Sequence, residues 1–261
     1  LITLLTDFGL SDYFVGAMKG VIFDINSSVR VVDITHDIPP QAIDAAAFNL
    51  LAVYKTFGAG TIHVAVVDPG VGSARRAIVI SAGGQFFVGP DNGIFSYVLD
   101  RESDARVHHV TNDEYFRKPT SATFHGRDVF APIAAALSTG VSPRELGDEI
   151  NDPVRLKSLA PERLKHGRLR GRLIHIDRFG NCITNFTQAE LPAELIRQGA
   201  RLSINGKVVS EFREFFADES KAKLFAIWGS AGFLEIVAPN RSAAKSLRVK
   251  RGDKVLLEAP P

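Results

Sequence analysis

Short β-branched apolar runs alternate with stretches of helical spacing over roughly the first 155 residues, which confines this part of the chain to parallel strands joined by crossover helices. Residues 1–5 read as a strand. Over 11–25, Phe14, Val15, Met18, Val21, Ile22 and Ile25 recur at threes and fours and so share one helix face. Residues 29–34 form the next strand, Pro39-Pro40 precede a helix over 41–55, and 61–67 is a third strand. Residues 76–81 and 85–88 read as a hairpin turning at Gly83-Gly84, and helix returns over 127–138. Beyond Pro153 the alternation stops. Residues 169–176, 201–209, 224–228, 233–237 and 254–258 are short strand-like runs parted by turn signals such as Asn205-Gly206. The expected architecture is α/β: an N-terminal domain with a mostly parallel central sheet over 1–155, then a small C-terminal β-barrel over 156–261, divided within the polar stretch 151–167.

Composition removes several classes of function. A chain of 261 residues that is 45% hydrophobic can bury a sizeable core, so disorder is excluded. A formal charge of +2 gives no global field that compels binding to nucleic acid or an anionic membrane, and neither partner is expected. Arg168, Arg170 and Arg172 alternate along a strand and read as a solvated face. The lone Cys182 cannot form an intrachain disulfide, no stretch approaches the ~18 apolar residues of a membrane span, and the first residues lack a secretory signal. The cytoplasm is the expected compartment, with an initiator methionine trimmed or left out ahead of Leu1.

Open α/β sheets bind ligands beyond the carboxyl ends of their strands, so acidic residues just after a strand come first as candidates. Asp7 follows the first strand, Asp33 closes the second and Asp68 follows the third. The run Asp68-Pro69-Gly70-Val71-Gly72-Ser73-Ala74-Arg75-Arg76 offers a carboxylate, two glycines allowing close backbone approach, and a permanently charged guanidinium. In Thr123-Phe124-His125-Gly126-Arg127-Asp128, an imidazole just before a helix could reach the same sheet edge and accept a proton near neutral pH. Other constellations carry less. His108 and His109 point to opposite faces of a strand, and Asp33, His36 and Asp37 lack the spacing of a closed ligand set, so no metal is expected. There is no Walker phosphate loop, no Gly-x-Gly-x-x-Gly after the first strand and no Gly-x-Ser-x-Gly elbow.

Five marks in this order resemble the S-adenosyl-L-methionine hydroxide adenosyltransferases, relatives of fluorinases and chlorinases. They are Thr6-Asp7-Phe8-Gly9 with Asp12, Val67-Asp68-Pro69-Gly70-Val71-Gly72, Gly89-Pro90-Asp91-Asn92-Gly93, Thr123-Phe124-His125-Gly126-Arg127-Asp128 and Asp177-Arg178-Phe179-Gly180-Asn181. The resemblance spans nearly the whole chain. It implies a homotrimer whose active sites lie between one subunit's N-terminal domain and a neighbour's C-terminal barrel, with S-adenosyl-L-methionine as substrate and no cofactor. On the same ground Asp68, Arg75 and His125 are the water-activating trio, Asp7 grips the ribose hydroxyls, and Thr123 belongs to the substrate-binding set. Asp12, Asp177 and Ser230 match positions that hold the methionine amino and carboxylate groups. Phe179 would stack on adenine and Asn181 bond its edge, with backbone near Asn240 completing the pocket, where Ala238-Pro239-Asn240-Arg241 replaces a glycine-rich run.

The chemistry fits such a trio. Methionine leaves the 5′ carbon as a neutral thioether and needs no general acid, whereas neutral water becomes positively charged as it attacks and needs a base. Arg75 is too basic to serve, so Asp68 and His125 would orient and deprotonate the water, which of the two being open at this level. Two alternatives stand beside hydrolysis: a halogenase using chloride, which a carboxylate at Asp68 disfavours, and a protein that binds the substrate without reaction.

Overall fold

The computed structural model describes residues 1–216 and 223–258, and the chain divides into two compact units, residues 1–158 and 159–261. Seven strands organise the first: β1 (Ile2–Thr6), β2 (Val31–Thr35), β3 (Ile62–Val66), β4 (Ala77–Ala82), β5 (Gln85–Pro90), β6 (Arg106–His109) and β7 (Glu149–Ile150). Their spatial order is β2-β1-β3-β5-β4-β6-β7. The first four in that order are parallel neighbours, and β4, β6 and β7 join antiparallel. The change of sense has a local cause. Helices α1 (Phe14–Ile25) and α2 (Ile43–Val53) carry the chain back between parallel strands, but β4 and β5 are joined by Gly83-Gly84 alone, with φ of 57° and 73°. Two successive residues at positive φ make the turn that reverses a strand onto its neighbour.

Strands β1 and β3 are buried along their whole length, whereas β2 at the edge of the sheet is partly exposed. Ile2, Leu4, Ile62, Val64 and Val66 share one face with Val15, Met18 and Ile22 of α1 and with α4 (Ala131–Ser138), which follows a short α3 (Ser96–Leu99). The other face carries Thr3 and His63, with Thr3 Oγ1 2.7 Å from His63 Nδ1, while His63 stacks on Phe87 at 5.0 Å. Burial pushes the His63 imidazole down to about 4, so it is neutral in the core. A one-turn α5 (Pro143–Leu146), capped by Ser142 and Glu145, precedes β7.

Three helix starts differ from their expected positions, the slightest being α2, which opens at Ile43 rather than at 41. Helix α1 begins at Phe14 because residues 9–13 form a loop pinned by the Gly9 N–H to His36 O at 2.8 Å. The helix expected from Arg127 opens instead as a π-helical turn, Gly126–Phe130, before α4. π-turns widen a helix where it carries a functional group, and His125 stands at the head of this one.

The second unit contains β8 (Glu162–Arg163), β9 (Leu169–Ile176), β10 (Cys182–Thr184), α6 (Ala193–Arg197), β11 (Arg201–Ile204), β12 (Lys207–Val209), β13 (Phe212–Arg213), β14 (Phe225–Trp228), β15 (Leu234–Val237), α7 (Ala243–Leu247) and β16 (Lys254–Glu258). Strand β9 is central, pairing β16 and β8 along its first half and β10 along its second. In its middle Gly171 leaves room for the chain that packs there: a Cβ would lie 2.4 Å from Asn185 Oδ1. The sheet curls as a half-barrel around Leu173, Cys182, Phe186, Leu202, Leu234 and Val255. Among the described residues, no helix is long and apolar enough to cross a membrane.

Candidate active site

In the first unit, Asp68, Arg75 and His125 come together. Thr6 of β1 is paired with Val66 of β3, so Asp7 and Asp68 leave the sheet from adjacent carboxyl ends. Arg75 Nε lies 2.9 and 3.0 Å from the two Asp68 oxygens and Nη2 lies 2.5 Å from Oδ2, a forked pair whose side chains are only 5% and 11% exposed for Asp68 and Arg75. Nη2 also lies 2.8 Å from His125 Nδ1, and the guanidinium sits 5.1 Å over the Phe130 ring. One cation thus fixes both remaining members of the trio.

That contact decides the histidine's tautomer. A guanidinium can only donate, so His125 Nδ1 accepts and the neutral ring carries its proton on Nε2. Burial, with the adjacent Arg75 charge, holds the His125 imidazole below its ordinary value of 6.5, against the smaller opposing pull of Asp68 and Asp128. His125 therefore presents a donor, and the acceptor in the trio is the Asp68 carboxylate.

Three residues quoted only as parts of motifs assemble this group. Gly72, at φ 77°, lies so close to the 121–125 loop that a Cβ would be 2.2 Å from Ala122 O. Asn92 Nδ2 donates to Val67 O at 2.8 Å and ties the end of β5 to the residue before Asp68. Asp128, fully buried, accepts from Arg127 Nε and Nη2 at 2.7 and 2.9 Å and from the Ser121 N–H at 2.8 Å, which folds the 121–128 segment on itself. Nothing in the local sequence separates these supporting roles from catalytic ones; only the contacts do. Asp91 is likewise structural: it accepts from Arg76 at 2.7 Å and from the Val154 N–H at 2.8 Å.

The other candidates of this unit lie outside the trio. Asp7 Oδ2 accepts the Gln41 N–H at 2.9 Å, which leaves Oδ1 uncommitted. Asp12 is exposed in the loop before α1, and Thr123 is exposed with its hydroxyl 3.1 Å from Ser121 Oγ. Asp33 and His36 are paired structurally, Asp33 with Lys19 at 2.6 Å and with His36 at 3.1 Å, and His36 with Thr6 Oγ1 at 2.8 Å. Among the described residues, no group of three His, Cys, Asp or Glu is placed to hold a metal ion.

The second unit gathers the remaining candidates. Asp177 Oδ1 accepts the N–H groups of Phe179 and Asn181 at 2.9 and 2.8 Å, and Oδ2 accepts Asn181 Nδ2 at 2.9 Å. The tight turn so formed holds Phe179 outward, 78% exposed, with Asn181 buried beside it. Gly180, at φ 85°, makes room for Ser242, whose Oγ would be 2.1 Å from a Cβ there. Phe179, Asn181, Val237, Ala238, Asn240 and Ser242 line an open cavity of about 760 Å³, large enough for a nucleoside. Asn240 takes φ 54°, a left-handed conformation that asparagine tolerates best after glycine, so it can occupy a position where a glycine-rich run would otherwise be needed. Ser230 lies exposed on the turn between β14 and β15.

Known proteins resemble both units. Residues 2–147 match the SAM hydroxide adenosyltransferase N-terminal domain and residues 171–256 the C-terminal domain of the same name. An (R)-S-adenosyl-L-methionine hydrolase of Methanocaldococcus jannaschii is 36% identical over 98% of this chain and 94% of its own. A crystal structure of an uncharacterized conserved protein from Thermotoga maritima superposes with a TM-score of 0.91 at 34% identity, covering 98% of this chain and 99% of that one. A fluorinase of Nocardia brasiliensis is more distant, 23% identical over 98% of this chain and 95% of its own.

Proposed function

The chain belongs to the SAM hydroxide adenosyltransferase family, and we propose that it uses water to displace L-methionine from the 5′ carbon of S-adenosyl-L-methionine, releasing adenosine. The observation that carries this reading is the Arg75 fork that joins Asp68 to His125 at the carboxyl edge of β1 and β3. The epimer named for the Methanocaldococcus relative, with the (R) sulfonium, is the one proposed here.

A water oxygen attacks C5′ in line with the C–S bond, the bonding pair leaves with sulfur, and methionine departs as a neutral thioether. The oxygen grows strongly acidic as its bond to carbon forms, so a carboxylate is base enough to take its proton. Asp68 accepts that proton, His125 Nε2–H steadies the attacking oxygen, and Arg75 holds both groups in register. Asp7 binds the ribose hydroxyls through its uncommitted oxygen, and Thr123 belongs to the same substrate-binding set. Phe179, Asn181 and the backbone at Asn240 take adenine, and Asp12, Asp177 and Ser230 take the amino-acid end. The assembly proposed is a homotrimer with each site completed by a neighbouring subunit; a sedimentation mass of a single chain would exclude it.

Chloride is the competing nucleophile. At an effective dielectric of about 20, one carboxylate repels a halide 4 Å away by about 4 kcal/mol, and although Arg75 offsets part of this, only water can also donate a hydrogen bond to Asp68. Incubation with S-adenosyl-L-methionine in chloride buffer made with ¹⁸O-labelled water is expected to yield methionine and adenosine labelled at the 5′ hydroxyl. Formation of 5′-chloro-5′-deoxyadenosine would establish the halogenase instead, and intact substrate a binding protein.

The pH dependence follows from His125. Its neutral form is the active one and its pKa lies below 6.5, so kcat should be level through neutral pH and fall only in acid, with a midpoint below 6.5. An acid limb centred above 6.5 in a kcat profile would contradict the neutral-donor role.

A further inference from the structure

Glu235 of β15 is a half-buried carboxylate that, among the described residues, has no hydrogen-bond donor and no ion-pair partner. Register shows which face it occupies. Glu235 is opposite Ile183 of β10 and Ile227 of β14; one pleat away, Val237 is opposite Phe225, and Asp177 bonds the backbone of Asn181 at 3.1 Å. Residues opposite one another, and two apart along a strand, point the same way. Glu235 therefore shares a face with Asn181, Val237 and Phe225, which line the nucleoside-sized cavity.

In the other direction Glu235 meets the turn that carries Ser230. A Cβ built on Gly229 would be 1.8 Å from Glu235 Oε1 and 2.5 Å from its Cδ. Gly229 does not have a positive φ, so backbone conformation does not call for glycine there. The bare Cα is accounted for by the carboxylate lying flush against it. Glu235 thus stands between the Asp177 turn and the Ser230 turn.

We infer that Glu235 is a specificity-determining residue that recognises the α-ammonium group of the substrate's amino-acid end, beside Asp177 and Ser230. This rests on the function proposed above. Asp177 cannot supply the recognition alone, because Oδ1 already accepts two backbone N–H groups and Oδ2 an amide. An ammonium has three donors to place, and Glu235 has both oxygens uncommitted. Burial, and then the Asp177 charge, raise the Glu235 carboxyl above its ordinary range, a cost that an arriving cation removes.

The test compares two substrates. For Glu235→Gln, KM for S-adenosyl-L-methionine should rise about tenfold to a hundredfold, as for loss of a charge-assisted hydrogen bond, with kcat within about threefold. With 5′-deoxy-5′-(dimethylsulfonio)adenosine, which keeps the sulfonium and nucleoside but has no ammonium, variant and wild type should share one kcat/KM. Gly229→Ala, which pushes the carboxylate aside, should repeat the pattern. An equal loss on both substrates would mark Glu235 as a packing residue, and unchanged KM on the natural one would mark it as uninvolved; either overturns the inference while leaving the hydrolase intact. Wild-type protein that releases no adenosine would instead overturn the function on which it rests.

Discussion

Asp68→Asn is expected to lower kcat about a thousandfold while KM for S-adenosyl-L-methionine changes by less than about threefold. The amide keeps the shape of the carboxylate and its remaining oxygen can still accept from Arg75, which keeps one arm of the fork, but the acceptor strong enough to take the water's proton is gone. His125→Ala should cost less, about a hundredfold, because the ring supplies a donor to the attacking oxygen and no base. The order of the two losses is the sharper prediction. It follows from Arg75 Nη2 occupying His125 Nδ1, which leaves a proton on the far nitrogen. A His125 variant more damaged than Asp68→Asn, in steady-state assays that count adenosine, would reverse the assignment of the base. Thermal melts of both variants separate chemistry from folding, since leaving a buried Arg75 less well paired will also lower Tm.

Gly72→Ala is expected to lower kcat about a hundredfold without unfolding the protein. Residue 72 takes φ 77°, where alanine is strained, and the added carbon would come within 2.2 Å of Ala122 O. Ordinary contact requires the loop bearing Asp68 and Arg75 to move away from the loop bearing His125 by about 1 Å, and misplacement of that size costs catalysis about a hundredfold. Gly70→Ala is the control. Gly70 has no positive φ and its added carbon would meet Arg75 Cγ and Ser73 Oγ at 3.4 Å, so activity should stay within several-fold of wild type. If the two glycine variants behave alike, loop apposition is not what builds the trio.

The elements that organise the first unit were legible because their signals are local. The periodicity at Phe14, Val15, Met18 and Ile22 gives a helix whatever lies elsewhere, and Gly83-Gly84 gives a two-residue turn. The same locality sets the limit. A period of apolar residues cannot register that His125 heads a π-turn, since that depends on a buried Asp128 drawing Ser121 and Arg127 together across the segment. The barrel-like curl of the second sheet was expected from its short strands, but the close approach of Asn185 and Phe186 to the bare Gly171 in the middle of β9 was not, because that contact joins residues brought together by the fold.

What the linear chain determined by itself is the inventory: acidic residues at the carboxyl ends of β1 and β3, a glycine-bearing loop after the second of them, a histidine ahead of a helix, and an Asp-x-Phe-x-Asn turn. Those are matters of residue type and short-range spacing, where backbone sterics and turn chemistry act. Tertiary structure alone decided that a single guanidinium holds Asp68 and His125 at once, which nitrogen of that histidine carries the proton, and that Glu235 lies bare against Gly229. Hydrogen-bond direction, desolvation and close approach are properties of atoms brought together across the fold, and the spacing of residues along a chain does not contain them.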